Sequence, residues 1–277
     1  MTFATHYSTA GRRVNAAKRL NPGAGLLVAL LLFANCRAAF AAAATNTLAQ
    51  SAARAENIFQ VERQAFHSNL TNGGPAWHFV RACFDWAEFA TNDTQRAEIA
   101  RQGIKASREL ITHNTRLVHG HYYLGMNLGQ LARTKSLGAL PLVDEMELEF
   151  IAARQIDESF DYAGPDRNLG LLYLEAPSIG SVGSRSKAKT HLERAAKLAP
   201  TYPENRLNLA EARLRWREAE GARRELDALE TGLTKARELL SGEEWSAAWM
   251  DWEKRLQKLR TQLQQKVKPT TSPKGLP

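Results

Sequence analysis

Three histidines, His113, His119 and His121, fall within nine residues and invite a metal-site reading. On a helix, residues two apart point to nearly opposite sides, so His119 and His121 cannot easily share an ion. No cysteine or paired carboxylates stand nearby to complete a zinc shell. A second candidate is Gly180–Lys187, whose glycines and basic residues look superficially like a phosphate loop. It lacks the adjacent Gly-Lys-Ser/Thr, and no strand pattern precedes it. It reads instead as a connection between two helices with Ser184 capping the second; an anion held there by Arg185 and Lys187 is the alternative. No serine, cysteine or carboxylate set shows nucleophile–base spacing. The residues therefore point to a binding protein without metal or cofactor, and not to an enzyme.

The elements that must position these side chains are helical. Almost no run alternates apolar and polar residues at a period of two, whereas helical spacing recurs throughout, so the chain is all-α. The organising stretch is Ala163–Pro200. Leu169, Gly170 and Tyr173 mark one helix, and Ala188, Leu192, Ala195 and Pro200 mark its return partner. A small residue is needed where two helices cross closely, with a large apolar one beside it. This spacing resembles a tetratricopeptide (TPR) hairpin, stretched by the Gly/Ser-rich insert Ser178–Ser186.

Comparable hairpins recur. Trp77, Val80, Phe84 and Ala87 are answered by Ala97, Ala100, Ile104, Ser107 and Ile111. Leu124 and Gly125 are answered by Leu142, Met146, Phe150 and Ala153. Leu209 and Ala210 are answered by Ala222, Leu226, Leu229 and Leu233. Val80, Leu124, Leu169 and Leu209 are equivalent, at offsets of 44, 45 and 40 residues. Each hairpin has an apolar face it cannot bury alone, so neighbours must stack. The expected architecture is a right-handed TPR-like α-solenoid of about four helical hairpins, led by a helix over 46–70 and closed by an amphipathic helix. Capping boxes are expected at Thr201–Glu204 and at Ser241–Glu244.

The first 44 residues stand apart. They hold five basic residues, no acids, the apolar run Gly23–Ala34 and the alanine-rich segment Ala38–Ala44. This is the pattern of a cleaved secretory signal, and its apolar run is too short to span a bilayer. Asn35 before Cys36 departs from a lipobox and argues against a lipid anchor. Without the signal, 32 basic residues face 29 acidic ones, so the +8 of the whole chain falls to +3. The remaining charges are interleaved, which gives no nucleic-acid footprint. Cys83, among Trp77, Val80 and Phe84, reads as a buried structural thiol. The expected domains are a signal peptide over 1–44, repeats over 45–240, a capping or assembly helix over 241–268 and a disordered tail over 269–277.

Two surfaces follow from that architecture. The inner helices line a groove that suits a partner protein or an apolar small ligand. Its candidate residues are His78, Asp85 and Trp86, then Tyr122, Met126 and Gln130, then Arg167, Leu171 and Glu175, and finally Leu207, Glu211 and Arg215. The second surface is the last helix, whose Trp245, Trp249, Trp252, Leu256, Leu259 and Leu263 repeat every 3.5 residues. That seam either covers the last hairpin or joins copies of the chain into a homo-oligomer.

Four strings are more distinctive than the TPR positions: HYYLGMNLGQLARTKSLGAL (121–140), AGPDRNLGLLY (163–173), SIGSVGSRSKAKTHLERAAKLAP (178–200) and YPENRLNLAEARL (202–214). Together they resemble the TRAP-transporter T-component family over about residues 50–240. The resemblance implies a periplasmic accessory protein of a Gram-negative bacterium that contacts the solute-binding (P) subunit of a TRAP uptake system. A groove or pore passing an apolar ligand would belong to the same reading. The competing class is a general periplasmic scaffold in envelope assembly or secretion.

Overall fold

The computed structural model describes residues 48–66, 76–135 and 137–265. The signal segment, Cys36, the break at 71–75 and the tail lie outside the described residues. Among the described residues the structure is helical, with no strand. A leading helix α1 spans 48–66. Then come α2 (Trp77–Glu88), α3 (Asp93–His113), α4 (Val118–Arg133), α5 (Leu140–Ile156) and α6 (Phe160–Glu175). They are followed by α7 (Arg185–Leu198), α8 (Pro203–Arg215), α9 (Ala219–Leu239), a 3₁₀ turn (Glu243–Trp245) and α10 (Ser246–Gln265).

From α2 onward each helix packs on the next, α2 also packs on α4 and α6 on α8, and α10 packs on both α8 and α9. The result is four stacked hairpins, α2/α3, α4/α5, α6/α7 and α8/α9, in a TPR-like α-solenoid. The repeat glycines show why the pattern was readable. A Cβ on Gly125 would lie 2.6 Å from the Phe150 ring, and one on Gly170 would lie 2.7 Å from Leu192. Only a residue without a side chain lets the two helices of these two hairpins approach that closely. Val80, Leu124, Leu169 and Leu209 are all buried, as their equivalence demands. Cys83 is buried too.

Helix ends follow local chemistry. Asn92 accepts from the Gln95 amide at 2.9 Å and starts α3, and Ser184 accepts from the Lys187 amide to start α7. Neither expected capping box forms. Pro203 opens α8 with Tyr202 at the N-cap, and the Glu204 carboxylate takes the Tyr202 hydroxyl instead. Gly242, at φ 110°, diverts the chain into the 3₁₀ turn, so α10 starts at Ser246 and not at 243. Among the described residues no helix is long and apolar enough to cross a membrane.

The helix α10 closes the stack. Arg237 pairs with Glu253 and Glu230 with Arg260, so α10 runs antiparallel to α9. Its Trp252, Leu256, Leu259 and Leu263 are buried with Tyr202, Leu207, Leu226 and Leu229. Trp245 and Trp249 are half-buried against the same cluster. The seam that could have joined two copies is thus covered within one chain, leucine half included. The 21-residue α9 is long enough to meet it over its whole length.

Candidate binding face

Alternate helices α2, α4, α6 and α8 carry the residues the sequence assigned to a groove, and the structure sorts them into two groups. His78, Glu175 and Arg215 are exposed, while Trp86, Met126, Leu171 and Glu211 are half-buried. Tyr122, Gln130, Arg167 and Leu207 are buried and line no open groove. Each has a physical reason. The irregular first residues of α6, Phe160–Ala163, fold over Tyr122 and Arg167. Gln130 is held between Glu88 and Arg133. Leu207 lies under Trp252 and Leu256, because α10 fills the space beside α8.

The polar side chains form rungs between successive helices of the face. Glu88 on α2 meets Gln130 and Arg133 on α4, the arginine at 3.0 Å. Glu175 on α6 meets Arg215 on α8 at 2.7 Å, and Glu211 on α8 meets Arg255 on α10 at 2.7 Å. The exposed pairs Arg133–Glu88 and Arg215–Glu175 contribute about 0–1 kcal/mol each, so they set register more than stability. Beyond the last rung a cleft of about 610 Å³ opens between α8 and α10, lined by Glu211, Leu214, Arg215, Lys258, Leu259 and Gln262.

The α4–α6 rung is different. Asp161, Tyr162 and Ala163 adopt left-handed backbone conformations, at φ 49°, 56° and 62°. Such residues cost on the order of 1–2 kcal/mol each outside glycine, so neighbouring groups must hold the turn. Arg167 donates to the backbone carbonyls of Asp161 and Tyr162 at 3.1 and 3.2 Å and to the Asp161 carboxylate at 2.7 Å. It also reaches the Asn205 side chain and the Tyr122 hydroxyl, each at 3.3 Å. Hydrogen bonds to a charged donor contribute about 1.5–3 kcal/mol each, so this set outweighs the backbone cost. The Tyr122 hydroxyl donates to Asp161 at 2.5 Å and accepts from Asn168 at 3.0 Å. Burial, then the Asp161 charge, pushes the Tyr122 hydroxyl well above its ordinary pKa. Asn205 on α8 donates to the Tyr162 carbonyl at 2.9 Å.

Gly164 completes the turn. A Cβ there would sit 2.6 Å from the Tyr122 hydroxyl, and Pro165 then opens the regular part of α6. Outside the turn, Tyr162 stacks on Tyr202 at 4.6 Å, with the Trp245 ring edge-on at 6.0 Å. Asp161 and Asn205 are polar partners in this turn that the sequence reading did not single out. Gly164-Pro165 was the one visible sign of an unusual backbone.

Of the other sequence candidates, His121 and the two cations of the Gly/Ser-rich connection have settled partners. The His121 ring nitrogens meet Glu149 at 2.6 Å and the Thr115 carbonyl at 3.0 Å. His119 lies between the rings of Trp77 and Phe160, where burial, then His78 and Arg81, lowers its pKa. Among the described residues no His/Cys/Asp/Glu group has a metal-binding arrangement. In the Gly/Ser-rich connection, Arg185 pairs with Glu218 at 2.9 Å and Lys187 with Glu147 at 3.2 Å, so both cations are engaged.

No family model matches the chain, and a search of curated proteins finds no match. Among solved structures it is similar to the crystal structure of a thermophilic TPR protein from Thermus thermophilus, at 18% identity and a TM-score of 0.47. The match covers 75% of this chain and 99% of that one.

Proposed function

We propose that this chain is a non-enzymatic binding scaffold whose alternate-helix face receives a partner protein. The observation that carries the reading is the continuity of that face. Five helices contribute to it, polar rungs fix their register, and an open cleft remains between α8 and α10. The cleft mixes apolar and charged walls, which suits a partner segment or an apolar ligand with a polar end.

We further propose that the scaffold is exported and serves as an accessory component of a TRAP-type uptake system, contacting the solute-binding subunit. The four strings given above and the signal-like first 44 residues support this. The test is capture from periplasmic extract with the tagged chain, followed by mass spectrometry. Recovery of a solute-binding protein is expected, and Arg215→Glu with Lys258→Glu, both exposed, should abolish it. Recovery of cell-wall or secretion factors instead would establish a general envelope scaffold and reject the transport reading. Tyr122 and Arg167 are unsuited to such a test, because truncating them attacks the fold.

A further inference from the structure

We propose that the groove between α3 and α5 receives an acidic amphipathic helix of a partner protein. The groove shares no residue with the cleft between α8 and α10, so this proposal and the preceding one stand or fall separately.

Shape supplies the first argument. A cavity of about 500 Å³ opens between the two helices, over α4. Ile104 on α3, Leu128 and Leu131 on α4 and Leu142 on α5 make its apolar walls and floor. Leu142 is half-buried, and the chain leading into it leaves Leu137 and Leu140 exposed. A trough between two helices with an apolar floor is a seat that a third, amphipathic helix fills.

Charge supplies the second. Arg101, Lys105 and Arg108 line the same cavity from α3, against a single acid, Glu109. Spacings of four and three residues set the three cations on one side of the helix, in a row about 10 Å long. A long-chain carboxylate has one head and would engage only one of them. Carboxylates at the same spacing on a facing helix engage the whole row, while apolar side chains beside them reach the floor.

The pairing of those cations supplies the third. Arg185, Arg215 and Arg255 are each held by a carboxylate at 2.7–2.9 Å. In the groove, Glu98 and Glu109 stand 3.9 Å from Arg101 and Lys105, beyond hydrogen-bond reach. Arg108 is joined to Glu145 through Nη2 alone. All three side chains are more than half exposed. Loose, exposed pairs contribute little to the fold, so an incoming carboxylate replaces them at small cost.

The test is calorimetric titration of the full chain at low salt with a blocked peptide of three Glu-Leu-Ala-Ala-Glu-Leu-Gln repeats. That repeat sets glutamates four and three residues apart, with leucines beside them. Saturable binding is expected, and added salt should weaken it by screening. Arg101→Glu with Lys105→Glu should weaken it about tenfold. Both residues lie at the surface, where such changes leave folding nearly intact. A peptide with alanine in place of each leucine should also bind about tenfold more weakly. Glu109→Gln should tighten binding several-fold, an outcome that a damaged fold does not produce. Equal affinity in the double variant, or for a peptide with glutamine in place of each glutamate, would overturn the proposal. Sodium dodecanoate binding that the peptide fails to displace would also overturn it, assigning the cavity to a single-headed amphiphile. Binding to phosphatidylglycerol vesicles without peptide binding would overturn it in favour of an anionic membrane surface.

Discussion

Two joints of the helical stack are held by opposite means. At the α8–α10 contact the backbone is regular, and the joint is made by Trp252, Leu256, Leu259 and Leu263 against α8 and α9. At the α5–α6 junction the backbone is forced through three left-handed residues, and one buried guanidinium holds it by five hydrogen bonds. Apolar packing is non-directional, so it suits a surface where any well-filled arrangement serves. A strained turn needs donors at fixed positions, which only polar groups provide. The first joint should therefore tolerate changes of shape at constant volume, and the second should not tolerate even conservative changes of chemistry.

The strongest way to break this contrast is Arg167→Met, which keeps bulk and removes every donor. It removes the cation from the Asp161 carboxylate and from two carbonyls, leaving Tyr122 alone on the carboxylate and Asn205 alone on the Tyr162 carbonyl, so unfolding by urea should show a loss of about 3–5 kcal/mol. Arg167→Lys should recover only part of this, because an ammonium cannot span acceptors set in a fork. A loss below about 1 kcal/mol would mean that the turn is held by something other than Arg167. At the apolar joint, Leu259→Ala should cost about 2–4 kcal/mol through the cavity it leaves. Leu259→Met there should cost less than about 1.5 kcal/mol. If the Leu259→Met change proved as damaging as Arg167→Lys, the distinction between the joints would collapse. Gly164→Ala sharpens the comparison at smaller scale. Its methyl group would press on the Tyr122 hydroxyl, and the expected cost is about 1–3 kcal/mol. The shift should be read in the same denaturation experiment.

The two joints also differ in how far the sequence disclosed them. The apolar joint was legible, since the 3.5-residue period of Trp245 to Leu263 marks one buried seam whatever covers it. The length of α9 and its antiparallel pairing decided that the cover lies within the chain. The glycines at 125 and 170 were legible for a similar reason: close crossing leaves a compositional mark. Tyr122 and Arg167 were placed on the right face but at the wrong depth. A helical wheel gives direction only, and burial came from the irregular start of α6 that folds across them. Three successive left-handed residues, none of them glycine, leave no signature in residue type. Leu207 was misplaced for the complementary reason, since α10 occupies the space it faces.

The smallest expected effect concerns the rim of the strained junction. Asp85 on α2 feels the charge of Asp161: its carboxyl is raised from 3.8 to about 6 by enclosure first, against the pull of Arg81, with Asp161 and Glu88 adding to the rise. A carboxyl raised in the folded state binds its proton more tightly there than in the unfolded chain. Its contribution to stability is therefore present below pH 4 and is lost as pH rises from about 4 to about 6. The side chain is 44% exposed, so solvent screens the effect to well under the roughly 1.4 kcal/mol per pH unit of a fully enclosed group. Asp85→Asn should remove this component: the urea midpoint of the variant, relative to the wild type, should rise across that pH window and level off above it. Parallel pH profiles would show that the folded chain does not raise the Asp85 carboxyl, by enclosure or by Asp161 and Glu88. The polar character of the junction would then end at the turn itself, without extending across the face to α2.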